Sequence, residues 1–237
     1  MKLLVDAGNT RIKWALVEQD EWLHNGVLPV EQASDLPKQF VGEFGISQIW
    51  VSNVAGEEVA QHIRNINANQ INFIVAREMQ CGVRNGYSNA GQLGSDRWAA
   101  LIAAWHLVRA KCMVVNCGTA ITIDTLSGQG KFLGGLIVPG VELMQRSLVG
   151  ATNQLRLEQG KNAAYPLNSA DAMFSGAIQA CCGAIERQYL QLGDDSAPVL
   201  LSGGASGYLE KILNLPLNIV DNLVLQGLLL ISQETGA

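Results

Sequence analysis

Lys2-Leu3-Leu4-Val5-Asp6-Ala7-Gly8-Asn9-Thr10-Arg11-Ile12-Lys13-Trp14 opens the chain as an apolar run that ends on a carboxylate, turns through Gly and Asn, and resumes as an alternating strand. Far downstream, Cys112-Met113-Val114-Val115-Asn116-Cys117-Gly118-Thr119-Ala120-Ile121-Thr122-Ile123-Asp124 repeats that plan. Both copies read as apolar strand, carboxylate or its amide, small residue, Gly, Thr, and a second strand. A third strand follows each copy, over residues 22–28 and 131–138. Helix signals come next in each half, the second introduced by Pro139-Gly140. A repeat at about half the chain length predicts two similar α/β halves rather than a solenoid.

Working outward, further strands are expected at 48–52, 72–75, 199–201 and 217–220. Helical patterns cover 34–44 and 57–66, and an apolar helix opens at Asp96 and runs through Arg109. Trp98 and Trp105 stand seven apart on it, a core-stripe spacing, and periodicity alone leaves open whether this helix is core or subunit interface. Residues 82–94 are rich in Gly, Asn and Ser and read as a loop. A helix is expected from Gly207, and another after Asp221.

Composition bounds the function. The 237 residues are 48% hydrophobic and 16% charged, too apolar for a disordered chain. A net charge of −5 argues against a general nucleic-acid binder. The 5 cysteines form no CxxC pair, so neither a disulfide scaffold nor a structural zinc site is expected. Asp6 interrupts the N-terminal apolar run before a signal peptide could form, and no apolar stretch reaches the roughly 20 residues of a membrane span. A cytoplasmic protein without membrane contact is expected. His24, His62 and His106 share no metal-ligand spacing, and Cys181 and Cys182 read as buried helix residues.

The two turns carry the first chemical signal. In Asp6–Lys13 a strand delivers a carboxylate that could hold hydrated Mg²⁺, while turn amides and the Thr10 hydroxyl could cradle phosphate oxygens. Alone, the same residues suit an ordinary hairpin. A second copy at Asn116–Ala120 changes that balance, because two such turns facing a cleft could serve one nucleoside triphosphate. Ser202-Gly203-Gly204 after a strand could let backbone approach a base or ribose. Neither a P-loop nor a GxGxxG fingerprint is present. In Gly94-Ser95-Asp96-Arg97, Asp96 is either a helix cap or a general base, and Arg97 with nearby Tyr87 suits a small carboxylate ligand. Residue type leaves both readings of Asp96 open.

Taken together, Asp6-x-Gly8-Asn9-Thr10, Gly86-Tyr87, Gly94-x-Asp96-Arg97, Gly118-Thr119-Ala120, Asn168-Ser169, Ser202-Gly203-Gly204 and Asp221-x-Leu223-x-Leu225-x-Gly227-Leu228 resemble the type III pantothenate kinases. These belong to the acetate kinase, sugar kinase, Hsp70 and actin superfamily. The resemblance runs the whole length, and Gly-x-Asp-Arg is its most specific part. It implies an α/β fold of two duplicated ribonuclease-H-like domains, each a mixed five-stranded sheet flanked by helices, at 1–110 and 111–237, with an inter-domain cleft. It implies ATP-dependent phosphorylation of pantothenate, the first step of coenzyme A synthesis, by a cytoplasmic homodimer. Asp96 is then the proton acceptor, and Tyr87, Gly94, Ser95, Asp96, Arg97 and Ser169 contact pantothenate. Asp6, Ala7, Gly8, Asn9, Thr10, Arg11, Ile12, Lys13, Thr119, Gly203 and Gly204 contact ATP.

Family members use Mg²⁺ with the nucleotide and a monovalent cation such as K⁺. The family's second turn begins with an Asp linked to that cation, and here Asn116 replaces it. A neutral amide oxygen is expected to hold K⁺ less strongly, or to admit NH₄⁺. Ser169 likewise stands where the family usually has Thr. Two alternatives remain from the residues: a kinase or phosphatase acting on another small alcohol, and a nucleotide-binding regulator without turnover.

Overall fold

β1 (Lys2–Ala7), β2 (Arg11–Glu18) and β3 (Glu21–Pro29) form the antiparallel side of the first sheet. β4 (Gln48–Asn53) and β5 (Gln70–Phe73) extend it in parallel, giving the order β3-β2-β1-β4-β5. This is a computed structural model, and it describes residues 1–41 and 45–234. α1 (Glu57–Arg64) supplies the crossover that a parallel β4–β5 pair needs. The expected helix over 34–44 is instead a pair of 3-10 segments, Val30–Asp35 and Pro37–Phe40. Pro37 lacks the N–H that a continuous α-helix would use. Residues 42–44 of that expectation lie outside the described residues.

Alternation decides the two faces of the sheet. Leu3, Val5 and Ala7 of β1 enter a core with Leu36, Phe40, Val59 and Ile63. The opposite face is covered by α2 (Ser95–Val108) and α6 (Leu223–Glu234). Trp98 through Ala104 are all buried, so α2 is apolar on every side because every side is covered. Its apolar surface is therefore core of this unit. A side chain at Gly227 would run into the Ala99 carbonyl oxygen, so α6 can lie on α2 only with hydrogen there. Between β5 and α2 the chain makes a small hairpin, β6 (Met79–Gln80) and β7 (Val83–Arg84), whose second strand falls inside the stretch expected to be loop.

The second sheet repeats the order. β8 (Cys112–Cys117) pairs antiparallel with β9 (Ala120–Leu126), β10 (Phe132–Pro139) lies outside β9, and β11 (Val199–Ser202) and β12 (Leu217–Ile219) add in parallel. α3 (Val141–Ala151) and the long α4 (Ser169–Leu192) follow β10, and α5 (Ser206–Leu209) is a single turn. Ile178, Cys181, Cys182 and Ile185 of α4 pack on Met113, Val115, Ile121 and Ile123. All five cysteines are free thiols.

The chain separates into two compact units. One contains Met1–Arg109, Gly130–Phe132 and the stretch that opens at Asn222; the other contains Ala110–Gln129 and Leu133–Asp221. Among the described residues, no helix is long and apolar enough to cross a membrane.

Candidate active site

In the first unit, strand pairing places Asp6 between Lys13 of β2 and Ser52 of β4. Ser52 is fully buried, and its Oγ lies 2.9 Å from the Oγ of buried Ser95. That bond ties the end of β4 to the first turn of α2. Asp96 follows Ser95, so its carboxylate comes close enough for its charge to act on Asp6. The Asp6 carboxyl is pushed up from 3.8 to about 7. Burial is the main cause, the Asp96 charge adds to it, and Lys13 opposes both.

The cap of α2 is Gly94, which has no side chain to give. Asp96 sits inside the first turn, and its Oδ1 accepts the Arg97 N–H at 2.8 Å. The capping alternative therefore falls to Gly94, and Asp96 keeps a partly buried carboxylate in the positive field of the helix start. A Cβ on Gly94 would lie 2.6 Å from Asp96 Oδ1, so the family-like Gly-x-Asp spacing makes room for this carboxylate.

Arg97 is buried. Its Nη1 donates to Tyr87 Oη at 3.0 Å, and its guanidinium carbon lies 5.8 Å from the Tyr87 ring centroid. Tyr87 is presented by an Asn-stabilised loop: its N–H donates to Asn85 Oδ1, and Asn85 Nδ2 donates to the Ala90 carbonyl. Tyr87, Gly94, Ser95, Asp96 and Arg97 thus share one unit and one end of α2.

The first turn is more closed than its composition suggests. The Gly8 N–H donates to the Arg11 carbonyl at 3.0 Å, and the Thr10 carbonyl accepts from Val30 N–H. Asn9, Thr10 and Arg11 are exposed, and Lys13 is half-buried. Ala7 and Ile12 are fully buried core side chains, so only their main chain could meet a nucleotide.

The second unit carries the other candidates. The Gly118 N–H closes its turn on the Ala120 carbonyl at 3.0 Å. Gly118 and Thr119 are exposed. The turn is braced from two sides: Gly140 N–H donates to the Thr119 carbonyl, and Ala205 N–H donates to the Cys117 carbonyl. Asn116 is paired in register with Thr122 and Ser202. Gly203 and Gly204 follow in the loop after β11, with Gly203 at φ +100. Ser169, exposed, is the first residue of α4, whose cap Asn168 accepts the Asp171 N–H. Among the described residues, no group of three or more His, Cys, Asp or Glu could hold a metal alone. A hydrated Mg²⁺ carried by phosphates needs only one or two carboxylates, and Asp6, within reach of the Asp96 charge, suits one.

Two contributors escaped the sequence reading. Ser52 had a weak signal, a hydroxyl at the end of the apolar run Ile49-Trp50-Val51. Phe132, whose ring centroid lies 5.6 Å from that of Tyr87, had none, because its partners are distant in sequence.

Residues 2–191 match the family model described as type III pantothenate kinase. A Nitrosospira multiformis protein named type III pantothenate kinase is 46% identical over 240 residues, covering 99% of this chain and 92% of that one. A crystal structure from Campylobacter jejuni, titled as assigned to a Baf family of transcriptional activators, superposes with TM-score 0.60 at 25% identity, covering 99% of this chain and 98% of that one. The activator of 2-hydroxyisocaproyl-CoA dehydratase from Clostridium difficile, solved with bound ADPNP, shares the fold at TM-score 0.56 and 8% identity, over 99% of this chain and 96% of that one. The repeated five-stranded sheets have the fold of two duplicated ribonuclease-H-like units.

Proposed function

This chain belongs to the type III pantothenate kinase family, and we propose that in its ATP-dependent phosphorylation of pantothenate Asp96 is the proton acceptor. The observation that carries the assignment is the convergence of Asp6, Lys13 and Asp96 at one end of the first sheet. Two carboxyls and one ammonium form a site suited to a phosphoryl donor and a hydroxyl acceptor.

Arg97, oriented by Tyr87, takes the pantothenate carboxylate, and Ser95 and Ser169 serve the same substrate. Asp96 orients the acceptor hydroxyl and receives its proton as the phosphoryl group transfers. With a loose transition state its contribution is positioning and late proton acceptance. Thr10, Lys13, Thr119, Gly203 and Gly204 contact ATP. Asp6 holds Mg²⁺ directly or through water. When bound, Mg²⁺ neutralises charge on the phosphate oxygens.

Asn116 is the candidate ligand of a monovalent cation. Its neutral oxygen gives weaker K⁺ binding than a carboxylate would, or exchange for NH₄⁺. A K⁺ titration that saturates tightly, and no less tightly in Asn116→Ala, would remove Asn116 from that role.

The working form is a homodimer in the cytoplasm. Exposed Leu133, Leu136 and Ile137 on the outermost strand β10, with Leu143 and Leu148 on α3, support a subunit contact. The free thiols suit a reducing compartment.

The test is incubation with ATP, Mg²⁺, K⁺ and pantothenate, with 4′-phosphopantothenate read by mass spectrometry. Asp96→Asn is expected to lower turnover by roughly 10²-fold or more while ATP still binds. Near-normal turnover in that variant would overturn the assignment of Asp96. Absence of product from the unaltered protein would turn attention to a different acceptor.

A further inference from the structure

Phe132 is fully buried, yet it stands at the tip of a hairpin, where side chains are normally exposed. The tip, Gly130–Phe132, is itself part of the first unit. Arg84 N–H donates to the Gly130 carbonyl at 2.9 Å, and Lys131 forms a parallel bridge with Arg84. Gly130 has φ +73, and a Cβ there would lie 2.7 Å from the Gly82 carbonyl oxygen and 2.8 Å from the Trp105 ring. Only glycine lets the tip sit so close, in a backbone region other residues avoid.

Within this unit the tip brings an aromatic ring to a charged group. The Phe132 ring centroid is 5.6 Å from that of Tyr87, with the planes tilted by 35°. The Arg97 guanidinium carbon lies 5.8 Å from both ring centroids, while its Nη1 is hydrogen-bonded to Tyr87 Oη. A guanidinium set against a packed pair of rings is held by its attraction to their electron-rich faces. The rings also keep water from it, which strengthens its attraction for an anion.

We infer that Phe132 is a positioning residue for the acceptor: it fixes the Arg97 guanidinium and the Tyr87 ring in the geometry that receives the pantothenate carboxylate. It acts through Arg97 and does not itself touch substrate. The inference rests on the reading of Arg97 as the carboxylate-binding group.

The test compares pantothenate with a neutral N-alkyl amide of it, using the full-length protein and the variants Phe132→Leu, Arg97→Gln and their combination. Phe132→Leu is expected to raise KM for pantothenate about tenfold, with a smaller change in kcat and KM for ATP within about twofold. The amide is expected to lose little. In the Arg97→Gln background the Phe132→Leu penalty should vanish, because the group it positions is gone. A penalty spread equally over pantothenate, amide and ATP would overturn the inference, and so would a lowered melting temperature with unchanged kinetics. If Arg97→Gln discriminates between the two acceptors and Phe132→Leu does not, only the role of Phe132 falls. If Arg97→Gln fails to discriminate, the carboxylate reading of Arg97 falls and the inference with it. Should Phe132→Leu fail to fold, Phe132→Met carries the same expectations with an unbranched side chain that fills the space more adaptably.

Discussion

Asp6 is a carboxyl whose surroundings push it up to about 7, so it is about half-protonated at neutral pH. The folded-state value lies above the ordinary 3.8, so burying Asp6 costs nothing extra below about pH 4. Stability is lost as pH rises from there through about 7, and the loss is complete above it. Asp6→Asn removes the buried charge. Its melting temperature is expected to exceed that of the unaltered protein at pH 8, with the gap closing toward pH 4. Thermal unfolding across pH reads this, and no gap at pH 8 would contradict the burial of the charge. Ligand binding has the opposite dependence. Mg²⁺ needs the ionised carboxylate, so Mg²⁺-dependent ATP affinity in calorimetry should weaken as pH falls below about 7. At the neighbouring carboxylate, Gly94→Ala places a methyl against Asp96 Oδ1. The chain is expected to fold, with kcat lowered roughly tenfold by displacement of the proposed acceptor. Unchanged kcat would mean that Asp96 has room to move.

Among elements, the informative joint is between β4 and α2. Both serines of the Ser52–Ser95 bond are buried, so removing one hydroxyl leaves the other without that partner. Ser52→Ala is expected to cost about 1–3 kcal/mol in urea unfolding and to lower turnover by loosening the first turn of α2. Loss of stability with full turnover would mean that α2 keeps its register without this tie. The existence of these elements was legible from pattern. Apolar runs ending on Asp6 and Asn116 became β1 and β8, and the apolar segment after Asp96 became α2. The 34–44 segment was not legible, because its spacing suits a helix while Pro37 and local packing favour short 3-10 turns. The small β6–β7 hairpin was hidden by the Gly- and Asn-rich composition of its surroundings.

For the whole molecule, the two sheets share one strand order, as a duplicated chain requires. β10 is the outer strand of the second sheet, and its Leu133 and Ile137 are 56% and 63% exposed. An apolar outer strand invites a partner. For the proposed homodimer, Ile137→Glu is expected to shift the protein from dimer to monomer in light scattering with little change in melting temperature at low concentration. A variant that remains dimeric would place the subunit contact elsewhere.

By itself the sequence determined the paired hairpins, the carboxylate at the end of β1, and the Gly-x-Asp-Arg entry to α2. Each of these depends on neighbours a few residues apart, where alternation, turn chemistry and helix periodicity act directly. Only the tertiary structure decided that Ser52 meets Ser95, that the charge of Asp96 reaches Asp6, that α6 lies on α2, and that Phe132 closes over Arg97. Those contacts join residues far apart in the chain, and they arise from how covered faces fit, for which no local pattern carries a signal.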